Sequence, residues 1–216
     1  MGPSQSLAIP AGDVLLDADV GIPQEARGVI LFVHGSGSSR HSPRNRYVAG
    51  ELHNAGLATV LADLLTPEEE KVDQRSAEFR FDIRLLARRV VALTDWLADD
   101  EAFADLGLGY FGASTGAAAA LIGAAARPDR IGAVVSRGGR PDLAAEDLPH
   151  VRQPTLLIVG GEDDVVIELN RSAHRQLAGD ARLEIVPGAG HLFEEPGALE
   201  QVARLAAAWF AQHLHA

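Results

Sequence analysis

The sequence predicts an α/β fold with a mostly parallel central sheet and helices on both faces. Three observations carry that prediction. Continuous apolar runs rich in β-branched residues recur along the chain, as expected of strands buried on both faces. Stretches with helical periodicity separate most of them. Glycine or small polar residues follow the runs, at the strand ends where an open α/β sheet gathers its reactive groups. Parallel strands require crossovers, and crossover helices cover the sheet.

From the N-terminus, LAIP and VLLDADV read as two short strands joined by the turn Pro10-Ala11-Gly12-Asp13, a candidate hairpin. GVILFVHG, Gly28 to Gly35, is the first run buried on both faces. A polar loop, SGSSRHSPRN, leads to a helix near Tyr47 to Ala55 and then to strand LATVLAD. The acidic segment TPEEEKVDQRSAE, with Glu68 to Glu70, reads as a solvated loop before an amphipathic helix from about Phe79 to Asp100. Strand LGLGYFG precedes an alanine-rich helix that begins after Ser114. IGAVVS and TLLIVGG follow as strands, then a helix near Ile167 to Leu177, strand RLEIVPG and a last helix from Pro196 to about His213. About 18 residues separate Ser136 from Thr155, too few for a cap domain over the strand ends. There is no internal repeat or low-complexity linker, so residues 1–216 read as a single domain.

Composition narrows the function. The 216 residues, 47% of them hydrophobic, suffice for one full-sized core. Nineteen Lys+Arg against 30 Asp+Glu leave a formal charge of -11, a field that repels phosphate backbones and anionic lipid headgroups. Nucleic acid and membrane are therefore not expected as partners. With no cysteine, disulfides, thiolate nucleophiles and Cys-ligated metals are excluded. The segment MGPSQSLAIPAGDV has no leader pattern, and the longest small or apolar stretch, Gly116 to Ala126, is about half of what spans a bilayer. The expectation is a soluble cytoplasmic protein, monomer or homo-oligomer.

The chemistry centres on Gly112-Ala113-Ser114-Thr115-Gly116, a G-x-S-x-G between a strand and a helix. A serine on so sharp a turn needs a strained backbone, and its neighbours two residues away must lack bulk where strand and helix approach. A serine hydroxyl also needs a base, usually a histidine oriented by a carboxylate. Both are expected at later strand ends. Gly160-Gly161-Glu162-Asp163-Asp164 follows TLLIV, and Pro187-Gly188-Ala189-Gly190-His191 follows RLEIV. The order Ser114, Asp163, His191 is that of the α/β-hydrolase fold. Asp163 is favoured over Asp164 by its place in G-x-x-D-x-x-V, with Asp164 left as a solvated residue or a helix cap.

His34-Gly35-Ser36-Gly37 has the H-G-x-G form that aims a backbone N–H at a scissile carbonyl. The N–H groups of Ser36 and Thr115 are the candidate oxyanion donors. Phosphate cradling is the weaker reading, since Arg40 stands where a third Rossmann glycine belongs and no G-K-[ST] occurs. Arg40, His41, Arg44 and Arg46 form a basic cluster, and Arg137 and Arg140 follow IGAVVS. Pairing with the acidic surface is the default for these residues, and anion binding by Arg44 and Arg137 is the alternative. His213 and His215 sit in an H-x-H at the terminus and do not read as metal ligands.

HGSGSSRHSPRN, GASTGAAAAL, VGGEDDVVIELN and GAGHLFEEPG together resemble the small α/β-hydrolases of the dienelactone hydrolase-like family, over nearly the whole chain. The resemblance implies Ser114 as nucleophile, His191 as base, Asp163 as its orienter, and no cofactor. Dienelactone hydrolases proper use a cysteine where this chain has Ser114, so ester hydrolysis is a broader expectation than lactone cleavage. The expected substrate is a small carboxylic ester, short-chain or accessible, cleaved through an acyl-enzyme; lactones, thioesters and phosphotriesters could reach the same serine. Two alternatives use the same residues: acyl transfer to another acceptor, and a hydrolase-fold protein that binds ligand without turnover.

Overall fold

The computed structural model describes residues 5–214. In chain order its elements are β1 (Gln5–Ala11), β2 (Val14–Gly21), β3 (Val29–Val33), α1 (Pro43–Asn54), β4 (Ala58–Ala62), α2 (Pro67–Ser76) and α3 (Ile83–Asp99). There follow β5 (Leu108–Ala113), α4 (Thr115–Ala126), β6 (Ile131–Arg137), β7 (Thr155–Gly160), α5 (Asp164–His174), β8 (Ala181–Val186) and α6 (Ala198–His213). The eight strands form one sheet in the order β1-β2-β4-β3-β5-β6-β7-β8. The β1–β2 hairpin and the β2–β4 pair are antiparallel, and every later pairing is parallel.

Alternation within the strands builds two core layers, because successive side chains point to opposite faces. Leu31, Val33, Tyr110 and Val134 pack under α3 and α4 with Leu86, Leu93, Ala118 and Leu121. Ile30, Phe32, Phe111 and Val135 pack on the other face with Val48 and Leu52 of α1 and with Val202 and Phe210 of α6. Burying each such large side chain stabilises the fold by roughly 1.5–3 kcal/mol. Ten of the twelve residues of α4 are buried, so the alanine-rich helix is a central packing element.

One expected loop is a helix. In TPEEEKVDQRSAE, Thr66 Oγ1 accepts from the Glu69 N–H and the Glu69 carboxylate accepts from the Thr66 N–H, a capping box that starts α2, with Pro67 at its first position. The T-x-x-E spacing was visible in the sequence, but the acidic composition masked it. Nor is Glu69 merely solvated: it receives a two-pronged ion pair from the buried Arg89 at 2.5 and 2.6 Å. That hydrogen bonding holds the Glu69 carboxyl below its ordinary range.

Between β6 and β7 lie only the short 3-10 helices Pro141–Ala144 and Leu148–His150, with no cap domain. Among the described residues no helix is long and apolar enough to cross a membrane. His215 of the H-x-H pair lies outside the described residues.

Candidate active site

Ser114 stands between β5 and α4 with φ 50° and ψ −124°, a conformation rarely tolerated by a residue with a Cβ. Its neighbours make this turn feasible. A Cβ on Gly112 would lie 2.5 Å from Ala117 Cα, and one on Gly116 would lie 2.3 Å from the carbonyl oxygens of both Val33 and His34. Both glycines are therefore close-approach residues, and the backbone strain at Ser114 is held by packing around it.

Asp163 and His191 come from adjacent strand ends. The Asp163 loop is tied to the His191 loop by Gly161 N–H donating to Val186 O (2.8 Å) and Glu162 N–H to Ala189 O (2.9 Å). With the loops so placed, His191 Nδ1–H donates to Asp163 Oδ2 at 2.6 Å. Asp163 occupies the N-cap position of α5 but makes no side-chain cap bond. Asp164 is the first residue of that helix, where a carboxylate complements the helix dipole. The Nδ1–H tautomer leaves His191 Nε2 as the basic nitrogen.

Ser114 and His191 line one cavity of about 270 Å³ together with Ser36, Arg44, Asn45, Arg137 and Leu192. Among the described residues no hydrogen bond joins Ser114 Oγ to His191; such contacts are often loose without substrate and tighten when it binds.

The glycine loop after β3 is held by His34. Its Nδ1–H donates to Gly35 O (2.9 Å) and its Nε2 accepts from the Leu64 N–H (3.0 Å). Burial pushes the His34 pKa below 6.5, against the opposing pull of the Gly35 carbonyl and the Asp63 and Glu70 carboxylates. The Ser36 N–H, expected as a free oxyanion donor, has a protein acceptor: it donates to Thr115 Oγ1 at 2.8 Å. The Thr115 N–H lies in the first turn of α4 and has no intrahelical acceptor. Thr115 thus joins the two donor loops through its hydroxyl, a role the pentapeptide did not disclose.

Most of the arginine cluster pairs with acids. Arg40 reaches Asp63 and Asp17, Arg46 reaches Asp19 at 3.1 Å, and Arg140 reaches Asp142 at 2.7 Å. Arg44 pairs with Glu194 at 3.0 Å. Arg137 differs: its Nη2 donates to Asn45 Oδ1 at 3.3 Å, and its Nε has no partner.

Sheet order, strained serine turn and strand-end residues define an α/β hydrolase in fold. A dienelactone hydrolase family model matches residues 16–214, and the chain belongs to that family. The crystal structure of a dienelactone hydrolase from Anabaena variabilis superposes with a TM-score of 0.97 at 57% identity, covering 99% of both chains. Est1E from Butyrivibrio proteoclasticus shares the fold, with a TM-score of 0.80 at 16% identity over 96% of this chain and 98% of its own. A Mycobacterium tuberculosis H37Rv protein provisionally named a phosphoribosyl transferase is 56% identical over 97% of this chain and 46% of its own length. The chain thus spans about half the length of the curated relatives it first matches.

Proposed function

We propose that this hydrolase is a serine esterase that cleaves small carboxylic esters through an acyl-enzyme on Ser114. The observation that carries the reading is the meeting, in one cavity, of the strained Ser114 turn and a histidine already hydrogen-bonded to a carboxylate. His191 Nε2 takes the Ser114 proton as Oγ attacks the ester carbonyl, and Asp163 stabilises the imidazolium that forms. The oxyanion faces the Thr115 N–H at the positive end of α4, and one such donor is typically worth about 3–4 kcal/mol of barrier. His191 returns the proton to the departing alkoxide. It then activates a water, which attacks the acyl-enzyme and releases the acid and free Ser114.

The short β6–β7 connection leaves the cavity accessible, which favours small or exposed acyl groups over long chains. The phosphoribosyl transferase name belongs to a protein about twice as long, whereas the hydrolase family model covers residues 16–214 here. Hydrolysis of 4-nitrophenyl acetate and butyrate by wild type and by Ser114→Ala tests the proposal. Wild type turns both over and the variant does not. A folded wild type with no turnover on either ester contradicts it and returns the binding-protein alternative.

A further inference from the structure

Among the described residues three that are not glycine have positive φ: Ala77, Ser114 and Phe193. Ala77 caps the C-terminal end of α2, where a left-handed residue is ordinary. Ser114 is the proposed nucleophile. Phe193, with φ 55°, lies two residues past His191 and is 1% exposed, among the largest fully buried side chains. A bulky residue is rare in this conformation, which glycine adopts without steric cost. The same segment has glycine at its two other left-handed positions, Gly188 (φ 70°) and Gly197 (φ 82°), and a Cβ at either would meet open space. At position 193 the chain keeps an aromatic ring and bears the strain, which persists only where the surrounding structure enforces it.

The Phe193 N–H donates to Gly190 O at 3.2 Å, closing a four-residue turn whose two central residues are His191 and Leu192. The backbone that carries the imidazole is thus fastened at residue 193. The Phe193 ring belongs to the apolar layer on the α6 face of the sheet, with Val186, Ala189, Ala198 and Val202. Entry to the turn is fixed by Gly160, where a Cβ would lie 2.4 Å from Ala189 O and 2.5 Å from Gly190 O. Gly138, just after β6, abuts the imidazole: a Cβ there would lie 3.5 Å from His191 Cε1 and Nδ1 and 3.2 Å from His191 O. Among the described residues the His191 side chain makes one hydrogen bond, to Asp163, and it is 39% exposed. An imidazole so exposed, with a single bond, owes its direction to the turn beneath it.

We propose that Phe193 is the positioning residue of His191: its buried ring anchors a strained turn that holds the imidazole on Asp163 and aims Nε2 at Ser114. The inference rests on the esterase reading for its effect on turnover, but not for its effect on the imidazole. Glycine at 193 would relieve the backbone strain and also free the turn, because nothing would then tie that conformation to the core. The imidazole would sample orientations in which Nδ1 leaves Asp163, and the Nδ1–H tautomer would no longer be imposed. The anchor supplies the geometry of proton transfer rather than substrate affinity, so its loss falls on kcat.

Two readouts on wild type, Phe193→Gly and Phe193→Leu test it. The first is the ring tautomer, read from long-range nitrogen–proton NMR spectra at about pH 8.5, well above the ordinary histidine pKa, with His191 assigned through His191→Ala. Wild type shows the Nδ1–H form, Phe193→Gly a mixture with the Nε2–H form, and Phe193→Leu mostly Nδ1–H. The second is turnover of 4-nitrophenyl acetate. Phe193→Gly loses about 10²-fold in kcat with KM little changed, and Phe193→Leu, which keeps a smaller apolar anchor, loses about fivefold. A folded Phe193→Gly that keeps either the wild-type tautomer or the wild-type kcat overturns the proposal, even if its urea midpoint falls, since a purely structural role moves stability alone. A wild type without the Nδ1–H form overturns it too. If Phe193→Gly does not fold, Phe193→Leu decides, and a kcat equal to that of wild type overturns the proposal. If wild type turns over no ester while Phe193→Gly still loses the Nδ1–H form, the anchor stands and the esterase reading falls.

Discussion

His191 Nδ1 lies 2.6 Å from Asp163 Oδ2, while Asp164, the next residue, begins helix α5. Two adjacent carboxylates thus have separate environments, one on a histidine ring and one in the first turn of a helix.

Asp163→Asn is therefore predicted to lower kcat by about 10³–10⁴-fold, because an amide cannot hold the Nδ1–H tautomer or balance the imidazolium. Asp164→Asn removes a helix-terminal charge and leaves kcat little changed. Steady-state kinetics on one neutral ester decide between them, and the reverse order of effects would move the orienting carboxylate to Asp164.

Thr115→Val removes the acceptor of the Ser36 N–H while keeping the shape of a buried side chain. The loop after β3 then loses its tie to α4. The expected result is a loss of about tenfold in kcat, since donor placement is lost rather than a proton-transfer group. Thr115→Ser retains the hydroxyl and most of the activity. Equal kcat for wild type and Thr115→Val would show that this hydrogen bond does not position the loop.

Gly116→Ala places a Cβ against two backbone carbonyl oxygens, neither of which can move aside freely. Overpacking of this kind costs about 1–3 kcal/mol. Urea unfolding should show a lower midpoint, accompanied by reduced turnover as the Ser114 turn shifts. An unchanged midpoint would contradict the close packing of α4 on β3.

His34 links stability to pH. Its pKa is lower folded than unfolded, so the unfolded chain binds the proton more readily, and the stability His34 contributes is present above pH 6.5 and lost as pH falls. Melting temperature is expected to decline between pH 7 and 5, before the carboxylates titrate. His34→Asn should be less stable at pH 7.5 but flatter across that window. Identical slopes for the two proteins would assign the decline to other groups.

Much of this arrangement is legible in the sequence. Residues 29–33 of GVILFVHG and 156–159 of TLLIVGG are apolar at every position because β3 and β7 are covered on both faces, and short strands of that kind leave little ambiguity. The serine turn was legible because the glycines flanking Ser114 answer a steric need set by the chain itself. Segment α2 was legible only in part: its T-x-x-E capping box is local, but the ion pair that anchors it, Glu69 with Arg89, is made across the fold. The same limit explains the arginines. Whether Arg137 or Arg40 finds an acid depends on which distant residues the sheet brings near, and periodicity does not encode that. Thr115 illustrates a further limit: its hydroxyl meets a residue 79 positions away.

The most direct test of the central claim is covalent. Wild type, Ser114→Ala and His191→Ala would be treated with a fluorophosphonate probe, and the adducts located by peptide mass spectrometry. One adduct on Ser114 in wild type, absent from Ser114→Ala and much slower to form in His191→Ala, is the predicted result. A folded wild type that takes no probe, or takes it on another serine, would contradict the assignment of Ser114 as an activated nucleophile.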